Sequence, residues 1–266
     1  MDSRALHYGD GLFETVAIRD HKPRLWALHA ERLLSGCDRL GIKAPDEDVL
    51  IKQLEHALQS SPIDTQYALA KIIVSAGSGR RGYQRSENES SELLIGIFAA
   101  VPPDSKLLRH GVVTRSCETS LAVQPALAGI KSLNRLEQIL ARKEWQDPDV
   151  FEGLMCDTDG RLICGTMSNV FVIHGDSVST PALDRCGVAG VMRQHLLNTL
   201  SANGGTLTIC DISWDQLLSA DEVFLTNSQF GVLPVRACDE RQWRVGSRTE
   251  KILTLVAKTG IEELAA

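Results

Sequence analysis

The run Pro102-Pro103-Asp104-Ser105 limits how this chain can fold more than any other feature. Two consecutive prolines remove two backbone donors and fix φ near −65°, so neither a strand nor a helix continues through them. The run has no apolar side chain besides the prolines, and it splits the 266 residues into a smaller segment, 1–104, and a larger one, 105–266. Helical and strand periodicities are mixed in both segments without regular βαβ alternation. The fold class read from this is α/β (α+β): two mixed domains and not a doubly wound sheet. With 43% hydrophobic residues the chain can bury one large core or two modest ones.

In the first segment, Trp26 to Ile42 reads as an amphipathic helix with Leu33, Leu34, Cys37 and Leu40 on one stripe. Asp46 to Leu58 reads as a second helix carrying Val49, Leu50, Leu54 and Leu58. Strands are expected at Ala68 to Ser75 and Glu92 to Val101. The second segment opens with a strand, Gly111 to Thr119, and a helix is expected from Asn134 to Trp145, with Asn134 as N-cap and Glu137 closing a capping box. Asp157-Thr158-Asp159-Gly160 is a hairpin tip. A strand at Val170 to His174 and a helix from Gly190 to Ala202 come next. Ser213 with Gln216, and Ser247 with Glu250, both fit the capping box.

A net charge of −6 argues against non-specific nucleic-acid binding, which needs basic surface to neutralise phosphates. No window holds the roughly 18 apolar residues of a membrane span, and the first residues, Met1-Asp2-Ser3-Arg4, lack an apolar leader. Seven scattered cysteines without a C-x-x-C pair read as reduced thiols of a cytoplasmic protein, and no His/Cys spacing supports a metal site.

Lys131 stands alone at the end of an apolar stretch, Val123 to Ile130, directly before a helix start. A lysine so placed is partly desolvated. Desolvation lowers an amine's pKa and makes it nucleophilic. Gly77-Ser78-Gly79-Arg80-Arg81-Gly82-Tyr83 sets glycines and arginine forks in one loop, suited to carboxylate or phosphate. Gly187-Val188-Ala189-Gly190-Val191-Met192-Arg193 feeds a helix N-terminus, an anion cradle. Thr226-Asn227-Ser228 offers two hydroxyls and an amide at a strand's end, and His29 and Arg32 share a helix face. Read alone, each is equally an ordinary loop, turn or surface helix.

Taken together and in this order, with Tyr8-Gly9-Asp10-Gly11-Leu12-Phe13-Glu14-Thr15 at the front, these segments resemble the fold-type IV pyridoxal-phosphate enzymes. That family includes branched-chain and D-amino-acid aminotransferases and the aminodeoxychorismate lyases. The runs Ser75 to Tyr83 and Gly129 to Gln138, the latter holding Lys131-Ser132-Leu133-Asn134-Arg135-Leu136-Glu137-Gln138, look most like the lyases. The resemblance implies a PLP (pyridoxal 5′-phosphate) cofactor held covalently by Lys131, which is also the catalytic base. It implies that Arg32, the backbone of Val191 and Met192, and Ser228 hold the phosphate, with Arg81, Tyr83 and Thr15 toward the substrate. It further implies a homodimer acting on a small molecule in folate biosynthesis, releasing 4-aminobenzoate and pyruvate.

Three departures stand out. Cys164 lies five residues before Asn169-Val170-Phe171, where the family places a glutamate facing the pyridine nitrogen. A thiol of ordinary pKa near ~8.5 is a poor substitute. That favours the lyase reaction, pulled forward by aromatisation, over a fold-type IV aminotransferase, which remains the alternative; a silent cofactor binder is a third reading. Ala76 replaces an arginine common in related lyases. The Tyr8 motif comes early, where the family has a further strand before it, so an open edge is expected in the first sheet.

Overall fold

The computed structural model describes residues 2–79, 82–85, 90–261 and 264. It divides into two compact units, 1–101 with 130–134, and 102–129 with 135–266. The boundary expected from the sequence lies after residue 104, with Lys131 in the second domain. The structure moves both: the chain divides after Val101, and the segment carrying Lys131 clusters with the first unit. The reason is backbone pairing. Phe13 N–H donates to the Lys131 carbonyl at 3.0 Å, Leu133 N–H donates to the Gly11 carbonyl at 3.0 Å, and Ser132 bridges Leu12.

The first unit begins with a short helix, α1 (Arg4–Tyr8), ended by Gly9 in the left-handed region. Next come β1 (Gly11–Arg19), β2 (Lys22–Pro23), α2 (Trp26–Leu40), α3 (Glu47–Ser60), β3 (Tyr67–Ser75) and β4 (Glu92–Ala99). The sheet order is β2-β1-β3-β4, all antiparallel. One face of β1 and β3 presents Leu12, Val16, Ile18, Ala70, Ile72 and Val74, and this face is covered by Leu33 and Cys37 of α2 and Leu50, Leu54 and Leu58 of α3. Burying each such leucine contributes about 1.5–3 kcal/mol. Val49, expected on the apolar stripe of α3, is exposed. The outer edge of β1, expected to be open, is occupied by β2 at one end and by residues 131–133 at the other.

The second unit comprises α4 (Ser105–His110), β5 (Val112–Ser116), α5 (Leu136–Arg142), β6 (Val150–Cys156), β7 (Arg161–Gly165), β8 (Asn169–His174), β9 (Ser177–Pro181), α6 (Val191–Ala202), β10 (Leu207–Cys210), β11 (Ile212–Ser213), α7 (Trp214–Leu218), β12 (Glu222–Asn227), β13 (Gly231–Cys238), β14 (Arg241–Gln242) and α8 (Ser247–Ala257). Among the described residues its mixed sheet runs β10-β9-β8-β12-β13-β5-β6-β7-β11, with β14 on β13. The hairpin tip at Asp157 forms as expected: the Asp157 carboxylate accepts from the N–H groups of Asp159 and Arg161, and Gly160 takes φ 79°. The capping box at Ser213 and Gln216 is present.

Two other caps differ from expectation. Helix α5 starts at Leu136 with Arg135 before it, because the Asn134 amide donates to the Gly9 carbonyl and the Glu137 carboxylate accepts from Ala122 N–H. Ser247 is the first residue of α8 and not its cap. The buried Glu222 carboxylate accepts instead from the N–H groups of Arg248 (3.2 Å) and Thr249 (2.8 Å). No helix among the described residues is long and apolar enough to cross a membrane.

Candidate active site

In the first unit, alternation along β1 sends Glu14 into the core and leaves Phe13 and Thr15 on the opposite face. Lys131, pinned through its backbone to β1, lies with Nζ 4.4 Å from the centre of the Phe13 ring. Its neighbours Ile130 and Ser132 are buried, so the backbone that carries the amine is fixed against β1.

Glu14 is 1% exposed and anchors a charge cluster. Its carboxylate accepts from Arg32 Nε at 2.7 Å, from Arg32 Nη2, and from His29 Nδ1 at 2.6 Å. Burial alone would raise the Glu14 pKa. The Arg32 charge and the hydrogen bonds from His29 and Arg32 outweigh it and hold the carboxyl at about 2. Burial, with the Arg32 and Lys131 charges, lowers the His29 pKa against the opposing pull of Glu14. His29 is therefore neutral. Because an ionised carboxylate only accepts, Nδ1–H is the donor and the buried Nε2 is left without a partner among the described residues. The sequence reading paired His29 with Arg32 but missed Glu14, which joins them.

The glycine-rich loop is tied back by a second ionic set. Asp10 accepts from Arg4 Nε at 2.8 Å and from Arg85 Nε at 3.0 Å. Tyr83, proposed toward the substrate, is exposed; its ring meets Tyr8 edge-on at 5.4 Å and its carbonyl accepts from Arg4. Arg81 and Arg80 lie outside the described residues. Gly77, at φ 77°, admits no side chain: a Cβ there would stand 2.0 Å from the Ser90 carbonyl.

In the second unit, the turn before α6 is built by Asn169 and two glycines. Gly129 N–H donates to the Gly187 carbonyl and Ala189 N–H to the Gly129 carbonyl, so the turn lies along the strand-like segment that precedes Lys131 in the chain. Asn169 Nδ2 donates to the Val188 carbonyl at 2.9 Å, and a Cβ on Gly190 would meet Asn169 Oδ1 at 2.0 Å. No side chain caps α6, whose first residues are Val191 and Met192. Thr226 pairs with Asn169 across β12 and β8, and its fully buried Oγ1 has no partner among the described residues. Ser228 follows two residues later. An uncapped helix start, a cleared backbone and a buried hydroxyl awaiting an acceptor fit a phosphate monoester.

Cys164 on β7 is buried among Leu121, Met155, Ile163 and Cys186. Burial, and then the charge of nearby Glu152, push its thiol far above its ordinary value, so it is neutral. Glu152 itself is fully buried and accepts from Thr166 Oγ1 (2.5 Å), Ser168 Oγ (2.8 Å) and the N–H groups of Thr166 and Met167. It fixes the loop that leads from Cys164 to Asn169. The sequence reading passed over it, although a carboxylate inside the apolar run of β6 is itself a signal. Among the described residues no group of three or more His, Cys, Asp or Glu could hold a metal ion.

Residues 11–238 match the family model described as amino-transferase class IV. The aminodeoxychorismate lyase of Vibrio harveyi is 35% identical over 235 residues, 88% of this chain and 85% of that protein. The crystal structure of 4-amino-4-deoxychorismate lyase from Pseudomonas aeruginosa superposes with a TM-score of 0.92 at 43% identity, covering 97% of this chain and 94% of that one. The D-alanine aminotransferase of Bacillus licheniformis is 26% identical over 98% of this chain and 90% of its own length. The family match over most of the chain and the superposition together show that the chain belongs to the class IV aminotransferase family, with the fold-type IV architecture.

Proposed function

We propose that this chain is an aminodeoxychorismate lyase, converting 4-amino-4-deoxychorismate to 4-aminobenzoate and pyruvate with pyridoxal 5′-phosphate as cofactor. The observation that carries this reading is the 43% identity to the Pseudomonas aeruginosa lyase across nearly all of both chains. Lys131 would hold the cofactor. Arg32, the N–H groups of Val191 and Met192, and the hydroxyl of Ser228 would hold its phosphate. When bound, pyridoxal phosphate supplies an electron-accepting ring conjugated to the carbon that bears the substrate amine.

The protein's residues then have separate tasks. Lys131 Nζ takes the proton from C4 of the substrate, as a general base held in place by its backbone bonds to β1. The electrons left behind drive cleavage of the C3–O bond, the ring becomes aromatic, and the enol that departs gains a proton at its methylene carbon to become pyruvate. Lys131 or Thr15 returns that proton. Arg81 and Tyr83 orient the substrate. The Glu14 carboxylate fixes Arg32, and the neutral Cys164 thiol adds no charge to the site. Seven unbridged cysteines support a reducing, cytoplasmic setting, and the family resemblance supports a homodimer.

The test is formation of 4-aminobenzoate and pyruvate from enzymatically generated aminodeoxychorismate, with wild type beside Lys131→Ala. Product from wild type alone is expected; a folded, cofactor-loaded wild type without product refutes the reading. The likeness to a D-alanine aminotransferase over 98% of this chain favours a second reading, transamination. Pyridoxamine phosphate accumulating on addition of D-alanine would support that one.

A further inference from the structure

The face of the first sheet that carries Phe13 holds a second amine. Phe13 pairs with Ile73, which pairs with Leu94; Thr15 pairs with Lys71, which pairs with Gly96; Ala17 pairs with Leu69, which pairs with Phe98. Alternation puts these nine positions on one face of the sheet, opposite the packed core. Two apolar rows, Phe13-Ile73-Leu94 and Ala17-Leu69-Phe98, therefore border a middle row of Thr15, Lys71 and Gly96. Gly96 leaves this row without a side chain beside Lys71, and a Cβ there would meet the Phe98 ring at 2.9 Å.

Lys71 is exposed, and its Nζ lies 5.1 Å from the centre of the Phe13 ring. Lys131 Nζ lies 4.4 Å from the same centre. Two ammonium groups thus share one aromatic ring and stand no further apart than those two distances combined. A ring favours one cation on its face; a second repels the first unless an anion lies near. No carboxylate of the described residues is ion-paired with Lys71. Lys71 is solvent-exposed but does not stand at the rim of this face. It is in the middle row, between apolar neighbours, beside the position that carries the amine chemistry.

We propose that Lys71 binds a carboxylate of the substrate, with the substrate's flat ring lying along the Phe13 row and its amine directed to Lys131. The inference deepens the lyase reading and rests on it. 4-Amino-4-deoxychorismate carries two carboxylates at fixed positions around a six-membered ring, so a cation offset from Lys131 on the same face selects for an acid displaced from the amine. A simple amino acid, with its carboxylate on the amine-bearing carbon, does not reach that far.

The experiment compares wild type, Lys71→Met and Lys71→Arg as holoenzymes, measuring 4-aminobenzoate formation against substrate concentration. A charge-assisted hydrogen bond to a carboxylate corresponds to roughly 10- to 100-fold in affinity. Lys71→Met should raise KM by about that factor with a much smaller change in kcat, and Lys71→Arg should recover most of it. The visible absorbance of the bound cofactor should be the same in all three, which separates loss of substrate contact from loss of cofactor. Calorimetric affinity for 4-aminobenzoate, which keeps only the ring carboxylate, should fall in Lys71→Met if that carboxylate is the one bound and stay unchanged if the enolpyruvyl carboxylate is. A wild-type KM in Lys71→Met, or Lys71→Arg as impaired as Lys71→Met, overturns the assignment while leaving the lyase reading intact. A wild type without product removes both.

Discussion

Replacing Glu14 by glutamine keeps its shape and removes its charge, leaving the partly buried Arg32 beside a neutral amide. The drop of the Glu14 carboxyl from an ordinary 4.5 to about 2 corresponds to roughly 3 kcal/mol of preference for the ionised, paired form. Removing one member of a buried ion pair costs about 3–5 kcal/mol by a separate route. Glutamine retains an acceptor, so the lower end applies, and a loss of about 3 kcal/mol at neutral pH is expected. The sign of the pH dependence follows from the direction of the shift. The folded value lies below the unfolded one, so this contribution is complete above about pH 4.5 and disappears as pH falls through about 2. His29 adds an earlier loss: its pKa is lowered on folding, so the unfolded chain takes up a proton first and stability declines as pH drops below about 6.5. Because both units unfold, the readout should be local: urea-dependent amide exchange in β1 and β3, resolved by mass spectrometry, from about pH 7 downward. The gap between wild type and Glu14→Gln should be near 3 kcal/mol at neutral pH and narrow steadily in acid. A gap under about 1 kcal/mol, or one of constant size at every pH, would refute the ion-pair account of this cluster.

Three further changes probe the second unit. Thr226→Val removes a buried hydroxyl that has no partner among the described residues. It should leave the apoprotein's Tm unchanged or raised, yet weaken binding of pyridoxal phosphate by roughly tenfold, as read by equilibrium fluorescence titration. Gly190→Ala drives a Cβ to 2.0 Å from Asn169 Oδ1. Asn169 must release the Val188 carbonyl, so both Tm and cofactor affinity should fall, by about 1–3 kcal/mol in stability; unchanged affinity would show that the α6 start is not the phosphate site. Glu222→Gln weakens the carboxylate that caps α8 through Arg248 and Thr249. A loss of about 1–2 kcal/mol in chemical denaturation is expected, with turnover at saturating cofactor preserved.

The signals that could be read from the sequence were those whose partners are neighbours in the chain. Asp157 folds onto Asp159 and Arg161, and Ser213 exchanges bonds with Gln216, so those turns and caps need nothing from elsewhere. The apolar stripes of α2 and α3 were legible for the same reason, apart from Val49. What failed was local propensity against a distant competitor. Asn134 is a good N-cap by type, but its amide is used by Gly9, 125 residues away. Glu137 goes to Ala122, and Glu222 supplies the cap assigned to Ser247 and Glu250. The grouping of Lys131 with the first unit was hidden likewise, since it depends on bonds to Gly11 and Phe13 across more than a hundred residues. Glu14 is hard to read because a lone carboxylate in a strand announces neither its burial nor its donors, whereas Glu152 is marked only by interrupting the apolar run of β6.

Glu152 also explains why a thiol rather than a carboxylate can stand at position 164. The Glu152 charge acts on Cys164, and together with burial it keeps that sulfur protonated. A carboxylate in the same place would meet the same burial and the same negative neighbour, and would need a paired cation or several hydrogen-bond donors to stay ionised. The glutamate that the resemblance implies at this position would have that cation in a protonated pyridine ring. Cys164 needs none, so under the proposed function the site would hold pyridoxal phosphate without fixing a proton on the ring. Transamination depends on a ring that accepts and stores charge until a proton arrives elsewhere. An elimination that ends in an aromatic product draws its driving force from the product itself and requires less of the ring. The neutral thiol at 164 and the second amine beside Phe13 therefore point the same way, toward a site specialised by what it binds rather than by how strongly it withdraws electrons.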